Sequence, residues 1–219
     1  MNVILFGATG MVGQGVLREC LLDPDVKQVL TIGRSPTGQH HPKLRELVHA
    51  DLFDYSTIEA DLTRYDACFF CLGVTSAGMS EAQYTHVTHD LALAAATTLA
   101  KLNPSMTFLY VSGSGTDSTE RGRTMWARVK GKTENDILKL PFKAAYMFRI
   151  GFIQPLHGIV SKTKLYSIFY SVLNPILPLM RRAFPAQIGT TEQVGRAMLQ
   201  VAKHGFPRPV LEPQDINTL

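Results

Sequence analysis

"NVILFGATGMVGQG", residues 2–15, decides how the rest of the chain is read. Asn2–Phe6 is a short, β-branched apolar run closed by glycine, the pattern of a strand buried on both faces. Met11–Leu22 has helical period, and Asp23-Pro24 stops it. Between them Gly7, Gly10 and Gly13 fall in the spacing G-x-x-G-x-x-G. Gly7 permits a tight turn, Gly10 lets backbone N–H groups approach a pyrophosphate, and Gly13 lets helix and strand pack closely. Placed between a strand and a helix, the motif predicts a phosphate cradle. Thr9, Met11 and Val12 belong to the same turn and are counted with the glycines as cofactor-binding.

Outward from this turn, strands and helices alternate at βαβ spacing. Strands are expected at Val26–Ile32, Leu47–Ala50, Ala67–Leu72, Met106–Val111 and Ala144–Ile150. Helices are expected at Ser80–Leu102, Arg121–Leu140 and Thr190–His204. The alternation predicts an α/β fold, a doubly wound parallel sheet in one domain over residues 1–219. Residues 154–187 break the pattern with Pro155, Pro175, Pro178 and Pro185 around an apolar middle, Leu165–Met180. That run is too short and too broken to span a bilayer, so it is expected to be a substrate lid or a homodimer contact rather than a membrane-interface helix. The second strand ends in Arg34, where an NAD site usually carries an acid; its guanidinium suits a 2′-phosphate and predicts NADP.

With 219 residues, 45% hydrophobic and 18% charged, the composition is that of a globular protein with a proper core. The net charge of +4 is mild and its basic residues are scattered, so no nucleic-acid partner is expected. Three cysteines and no secretory signal point to a reduced compartment, taken as the cytoplasm. Cys68-x-x-Cys71 lies in a strand-like run and reads as core, as does Cys20. His86-x-x-His89 lacks a third ligand at recognisable spacing, and His40-His41 sits in a loop, so no metal is expected.

The chain resembles the short-chain dehydrogenase/reductase superfamily, and more narrowly its atypical branch of NmrA-like and Tat-interacting oxidoreductase-like proteins. The resemblance is carried by "GATGMVG", "GRSP", "ADLFD", "CLG", "LYVSGSG", "VKGKTE" and "FRIGFIQP", in that order, with "VLEPQDI" like the closing strand. It implies a Rossmann fold with a small C-terminal substrate or lid region. It also implies that Asp51 and Leu52 face the adenine, that Leu72 and Gly73 pass the ribose, and that "RIGF" packs near the nicotinamide. Ser114, with Ser112 second, would polarise a substrate carbonyl, and Lys130 would bond the nicotinamide ribose. Active members carry Tyr-x-x-x-Lys, in which the lysine eases proton exchange at the phenol. Here the tyrosine position is Trp126, and an indole N–H is a donor that does not titrate. Two outcomes stay open. Trp126 stacks over the nicotinamide or substrate without turnover, or Ser114, Tyr166 or Tyr170 serves as the acid. The expected function is an NADPH-dependent oxidoreductase of unusual mechanism acting on a small carbonyl, or else a non-catalytic dinucleotide-binding sensor or scaffold.

Overall fold

β1 (Asn2–Phe6) runs through the middle of the molecule, with Val3 to Phe6 fully buried. Its neighbours are β2 (Gln28–Gly33) and β4 (Ala67–Phe70), both parallel to it. A computed structural model describes residues 1–159 and 187–219. Its main sheet has seven strands in the order β3-β2-β1-β4-β5-β6-β9, and every neighbouring pair is parallel. The remaining strands are β3 (Leu44–Val48), β5 (Thr107–Gly113), β6 (Ala144–Ile150) and β9 (Val210–Leu211). The strand order reverses between β1 and β4, and in such sheets ligands bind at that switch point, outside the carboxyl ends. The doubly wound α/β expectation holds.

Alternating side chains send two sets of apolar residues to opposite faces. One face packs Leu5, Val29, Phe69 and Leu109 under α1 (Met11–Leu22) and α5 (Thr191–His204). The other packs Ile4, Phe6, Phe70 and Phe108 under α2 (Glu81–Thr85), α3 (Leu91–Leu102) and α4 (Met125–Ile137). Each fully buried Leu, Ile, Val or Phe contributes roughly 1.5–3 kcal/mol, so both helical layers are held mainly by this burial. α1 and α5 approach until backbones touch: a Cβ on Gly15 would stand 2.6 Å from the Thr191 carbonyl oxygen, and one on Gly195 would stand 2.7 Å from Glu19 Cγ.

Several boundaries differ from the sequence expectation. The long helix expected over Ser80–Leu102 is α2 and α3 joined by a π-helical turn, His86–Asp90, in which the Leu91 N–H donates to the His86 carbonyl. α4 begins at Met125 rather than Arg121, because the Asp117 carboxylate accepts from Thr119 and Gly122 N–H groups and holds that stretch as a loop. β3 is an edge strand earlier than expected. A small second sheet pairs β7 (Phe152–Gln154) with β8 (Ile188–Thr190), and the tail "VLEPQDI" is β9 followed by α6 (Pro213–Thr218). The apolar segment Leu165–Met180, with Tyr166 and Tyr170, lies outside the described residues.

Candidate functional site

The turn after β1 is built at backbone contact distance. Gly7 has φ +78°, the left-handed region that favours glycine, and a Cβ there would stand 2.7 Å from the Cys71 carbonyl. A Cβ on Gly13 would stand 2.0 Å from the Gly7 carbonyl oxygen. The Gly10 N–H donates to the Gly7 oxygen at 2.9 Å, closing the turn. α1 then starts at Gly10 with no side chain capping it and no acidic residue in its first turn. Its first N–H groups and the positive end of its dipole are left for an anion. Thr9, Met11 and Val12 sit where expected, around this helix start, with the Thr9 carbonyl accepting from the Gln14 side chain at 3.2 Å.

Beside the cradle a cleft opens between the ends of β1 and β2, β3 and the loop after it. Gly7, Thr9, Arg34, Leu52 and Leu72 all line it. Arg34 is exposed and makes no hydrogen bond or ion pair among the described residues. Leu52 is buried, while the Asp51 carboxylate accepts from the Phe53 N–H at 2.9 Å and shapes the turn. Gly73 stands in open space. The cleft also contains a residue that sequence reasoning missed. Glu46, on edge strand β3, faces Thr31 across the β2–β3 register and accepts from the Thr37 N–H at 2.6 Å. Its signal was the acid in "LRELV", opposite a threonine on the neighbouring strand.

Along the same carboxyl edge of the sheet, Ser114 follows β5 and is exposed, its N–H donating to the Ile150 carbonyl at 2.9 Å. Its hydroxyl makes no hydrogen bond among the described residues. The Trp126 ring, in the first turn of α4, covers this loop: its edge lies 3.7 Å from where a Gly113 Cβ would be and 3.6 Å from that of Gly115. Lys130, one turn along and half-buried, sets its Nζ 5.5 Å from the centroid of the Tyr110 ring. Burial pulls the Lys130 ammonium down to about 8, against an opposing pull from Glu134. Among the described residues Lys130 has no hydrogen-bond acceptor, so it is available to one that a ligand brings. Tyr110, the tyrosine this lysine actually faces, does not replace the missing acid: it is buried and burial pushes its phenol up.

Ser112 has a different setting from Ser114. It is buried, and its hydroxyl donates to Glu134, itself only 1% exposed. Arg149 on β6 closes the group, pairing with Glu134, with Glu212 at 3.1 Å and with the Ser118 hydroxyl. Removing one partner from such a buried set leaves an uncompensated charge. Ser112 therefore ties β5 to α4 and β6, while Ser114, Trp126 and Lys130 line the same end of the sheet.

The remaining candidates are engaged elsewhere. His89 bridges Asp90 at 2.8 Å and Asp136 at 3.0 Å, and His86 stacks on Phe53 with ring centroids 4.4 Å apart. Among the described residues no group of three His, Cys, Asp or Glu is placed to hold a metal ion. Cys20 and Cys68 are buried, Cys71 is half-buried, and burial raises all three thiols, which makes them poor nucleophiles. Among the described residues no helix is long and apolar enough to cross a membrane.

Comparison with known proteins places this geometry in a group. The profile of the family "NAD dependent epimerase/dehydratase family" matches residues 3–122. "Protein fmp52, mitochondrial" of Emericella nidulans is 31% identical over 159 residues, covering 69% of this chain and 66% of that protein. "Protein FMP52-2, mitochondrial" of Scheffersomyces stipitis is 25% identical over 218 residues, covering 97% of this chain and 91% of that one. Among solved structures, the dTDP-glucose 4,6-dehydratase DesIV of Streptomyces venezuelae, with NAD and TYD bound, superposes with TM-score 0.71 at 14% identity, covering 100% of this chain and 79% of that chain. The superfamily expectation stands; the narrower NmrA-like branch remains a resemblance. The cytoplasmic expectation is corrected, because the curated relatives are named mitochondrial proteins. The cysteine count could not separate the two compartments.

Proposed function

This chain belongs to the NAD dependent epimerase/dehydratase family, and we propose that it binds a nicotinamide dinucleotide, NADP(H) ahead of NAD(H), as a single domain over residues 1–219. The observation that carries this is the glycine cradle: Gly7 and Gly13 leave no room for a Cβ, and the α1 start they hold lacks any capping side chain. A diphosphate fits a helix start of this kind. Arg34, exposed and unpaired among the described residues, supplies a fork for a 2′-phosphate. Leu52 and Leu72 offer apolar contact to an adenosine, and Lys130 offers donors to ribose hydroxyls.

The bound cofactor would supply a hydride, and the exposed Ser114 hydroxyl, without a hydrogen-bond partner among the described residues, would hold a small carbonyl. This makes the protein an oxidoreductase whose mechanism lacks the usual phenol. A second reading, a dinucleotide-binding sensor or scaffold, is favoured by Trp126, whose indole cannot exchange a proton at that position. Either role belongs to a mitochondrial setting, as the relatives' names suggest. The chain covers 66% of the Emericella nidulans relative, so activity and a possible homodimer are proposals for this chain alone.

Calorimetric titration with NADPH and NADH tests the binding. A charge-assisted contact is worth about 1.5–3 kcal/mol, so Arg34→Ala should weaken NADPH by roughly tenfold to a hundredfold and leave NADH nearly unchanged. Absence of binding by either dinucleotide to the natural chain would refute the proposal.

A further inference from the structure

The cleft beside the phosphate cradle holds two opposite charges that do not neutralise each other. Arg34 lines it from the end of β2, and Glu46 lines it from β3. The two make no ion pair, since neither the hydrogen bonds nor the salt bridges of Glu46 include Arg34. One oxygen of the Glu46 carboxylate is held by the Thr37 N–H at 2.6 Å, with the Thr31 hydroxyl at 3.5 Å. Thr31 and Glu46 are direct partners in the register of β2 and β3, so the sheet sets where the carboxylate projects, and the Thr37 N–H of the following loop holds its oxygen.

This arrangement has consequences for what enters the cleft. A carboxylate accepts hydrogen bonds only, so it welcomes a hydroxyl donor and opposes a phosphate, which brings acceptors and like charge. Glu46 also occupies the Thr37 N–H, a donor that an incoming phosphate would otherwise use. Resting on the dinucleotide-binding proposal, we propose that Glu46 is a specificity-determining residue that works against Arg34. Arg34 draws in the 2′-phosphate of NADP, Glu46 favours the free 2′-hydroxyl of NAD, and the balance between them keeps the preference for NADP small.

The experiment compares NADP⁺ and NAD⁺ affinities, by calorimetry, for the natural chain, Glu46→Gln and Glu46→Ala. Glu46→Gln keeps an oxygen acceptor for the Thr37 N–H and removes the charge but adds an NH₂ donor, so Glu46→Ala, which adds none, isolates the loss of repulsion. The expected result is NADP⁺ binding tightened about tenfold, with NAD⁺ unchanged or weaker. Raising the salt concentration should shrink the gain, because like-charge repulsion is screened. Glu46→Ala, judged alongside its melting temperature, should give the same sign if it folds. Unchanged or weakened NADP⁺ binding in a folded Glu46→Gln overturns the inference while leaving dinucleotide binding intact. If the natural chain binds neither dinucleotide, the binding proposal falls and takes this inference with it.

Discussion

Replacing Gly13 by alanine tests the cradle where it is tightest. The added Cβ would lie 2.0 Å from the Gly7 carbonyl oxygen, 2.6 Å from its carbon and 3.0 Å from Ala8 Cα. Comfortable non-bonded separations are about 3.5 Å, so turn and helix must part by more than an ångström. The neighbouring atoms are backbone and do not swing aside. α1 has no free retreat either, because at Gly15 it already rests against the Thr191 backbone, where a Cβ would stand 2.6 Å from the carbonyl oxygen. Overpacking of this kind costs about 1–3 kcal/mol or more, and the upper figure applies where two backbones collide. For a chain of this size about 3 kcal/mol lowers the melting temperature by roughly 6–12 °C. Parting the turn also carries N–H groups out of hydrogen-bond range of a phosphate, which ends near 3.5 Å. Losing two charge-assisted bonds should weaken NADPH by about a hundredfold or more. Differential scanning fluorimetry and calorimetry read the two effects separately. Gly73→Ala, with no atom within 4 Å, is the stability control and should melt with the natural chain. A Gly13→Ala protein that melts and binds like the natural one would refute the close-packed turn.

Trp126→Tyr should gain NADPH oxidation with small aldehydes or quinones by about a hundredfold, since general acid catalysis is typically worth 10²–10⁴-fold. Brisk turnover by the natural chain that persists in Trp126→Phe would show that the acid lies elsewhere. Lys130 titrates near 8 when folded and near 10.5 when unfolded, so between those values the unfolded chain holds the extra proton. Stability arising from this group therefore rises as pH climbs from 8 to 10.5, and urea midpoints across that window should climb less in Lys130→Met. Identical slopes for the two proteins would mean that Lys130 is not desolvated.

Two strands lie where sequence reasoning puts them. β1 and β6 match residue for residue: β1 is a buried apolar run closed by Gly7, and β6 is a mostly apolar run set between the loop at Pro141 and Gly151. β3 is displaced because at the edge of the sheet it is only partly buried, which leaves "LRELV" as a weak signal. Glu46 in "LRELV" is visible as an acid along the chain, but its place in the cleft depends on the register with β2, which the chain alone does not show. Ser112 and Ser114 look alike in "VSGSG", yet Glu134 and Arg149, both distant in sequence, make one structural and leave the other exposed. β7 and β8 are three residues each and pair across a long gap, so no periodicity could mark them. The glycine turn was legible because its demands are local: a positive φ and backbone contacts that only hydrogen allows.

The π-helical turn between α2 and α3 sets a phase. Its five residues, His86–Asp90, hold one more residue than an α-helical turn needs. Upstream, Tyr84 points into the core; downstream, Ala92, Ala95, Ala96 and Leu99 do the same. Each residue advances an α-helix by about 100°, so removing one from this turn would rotate everything after it by that angle. Either Tyr84 would leave the sheet or the alanine stripe of α3 would. His86 and Phe53 would also lose their stack, parting the helix from the loop that follows β3. A surface loop generally absorbs a one-residue change of length at small cost, but this turn, because it lies within a helix, does not.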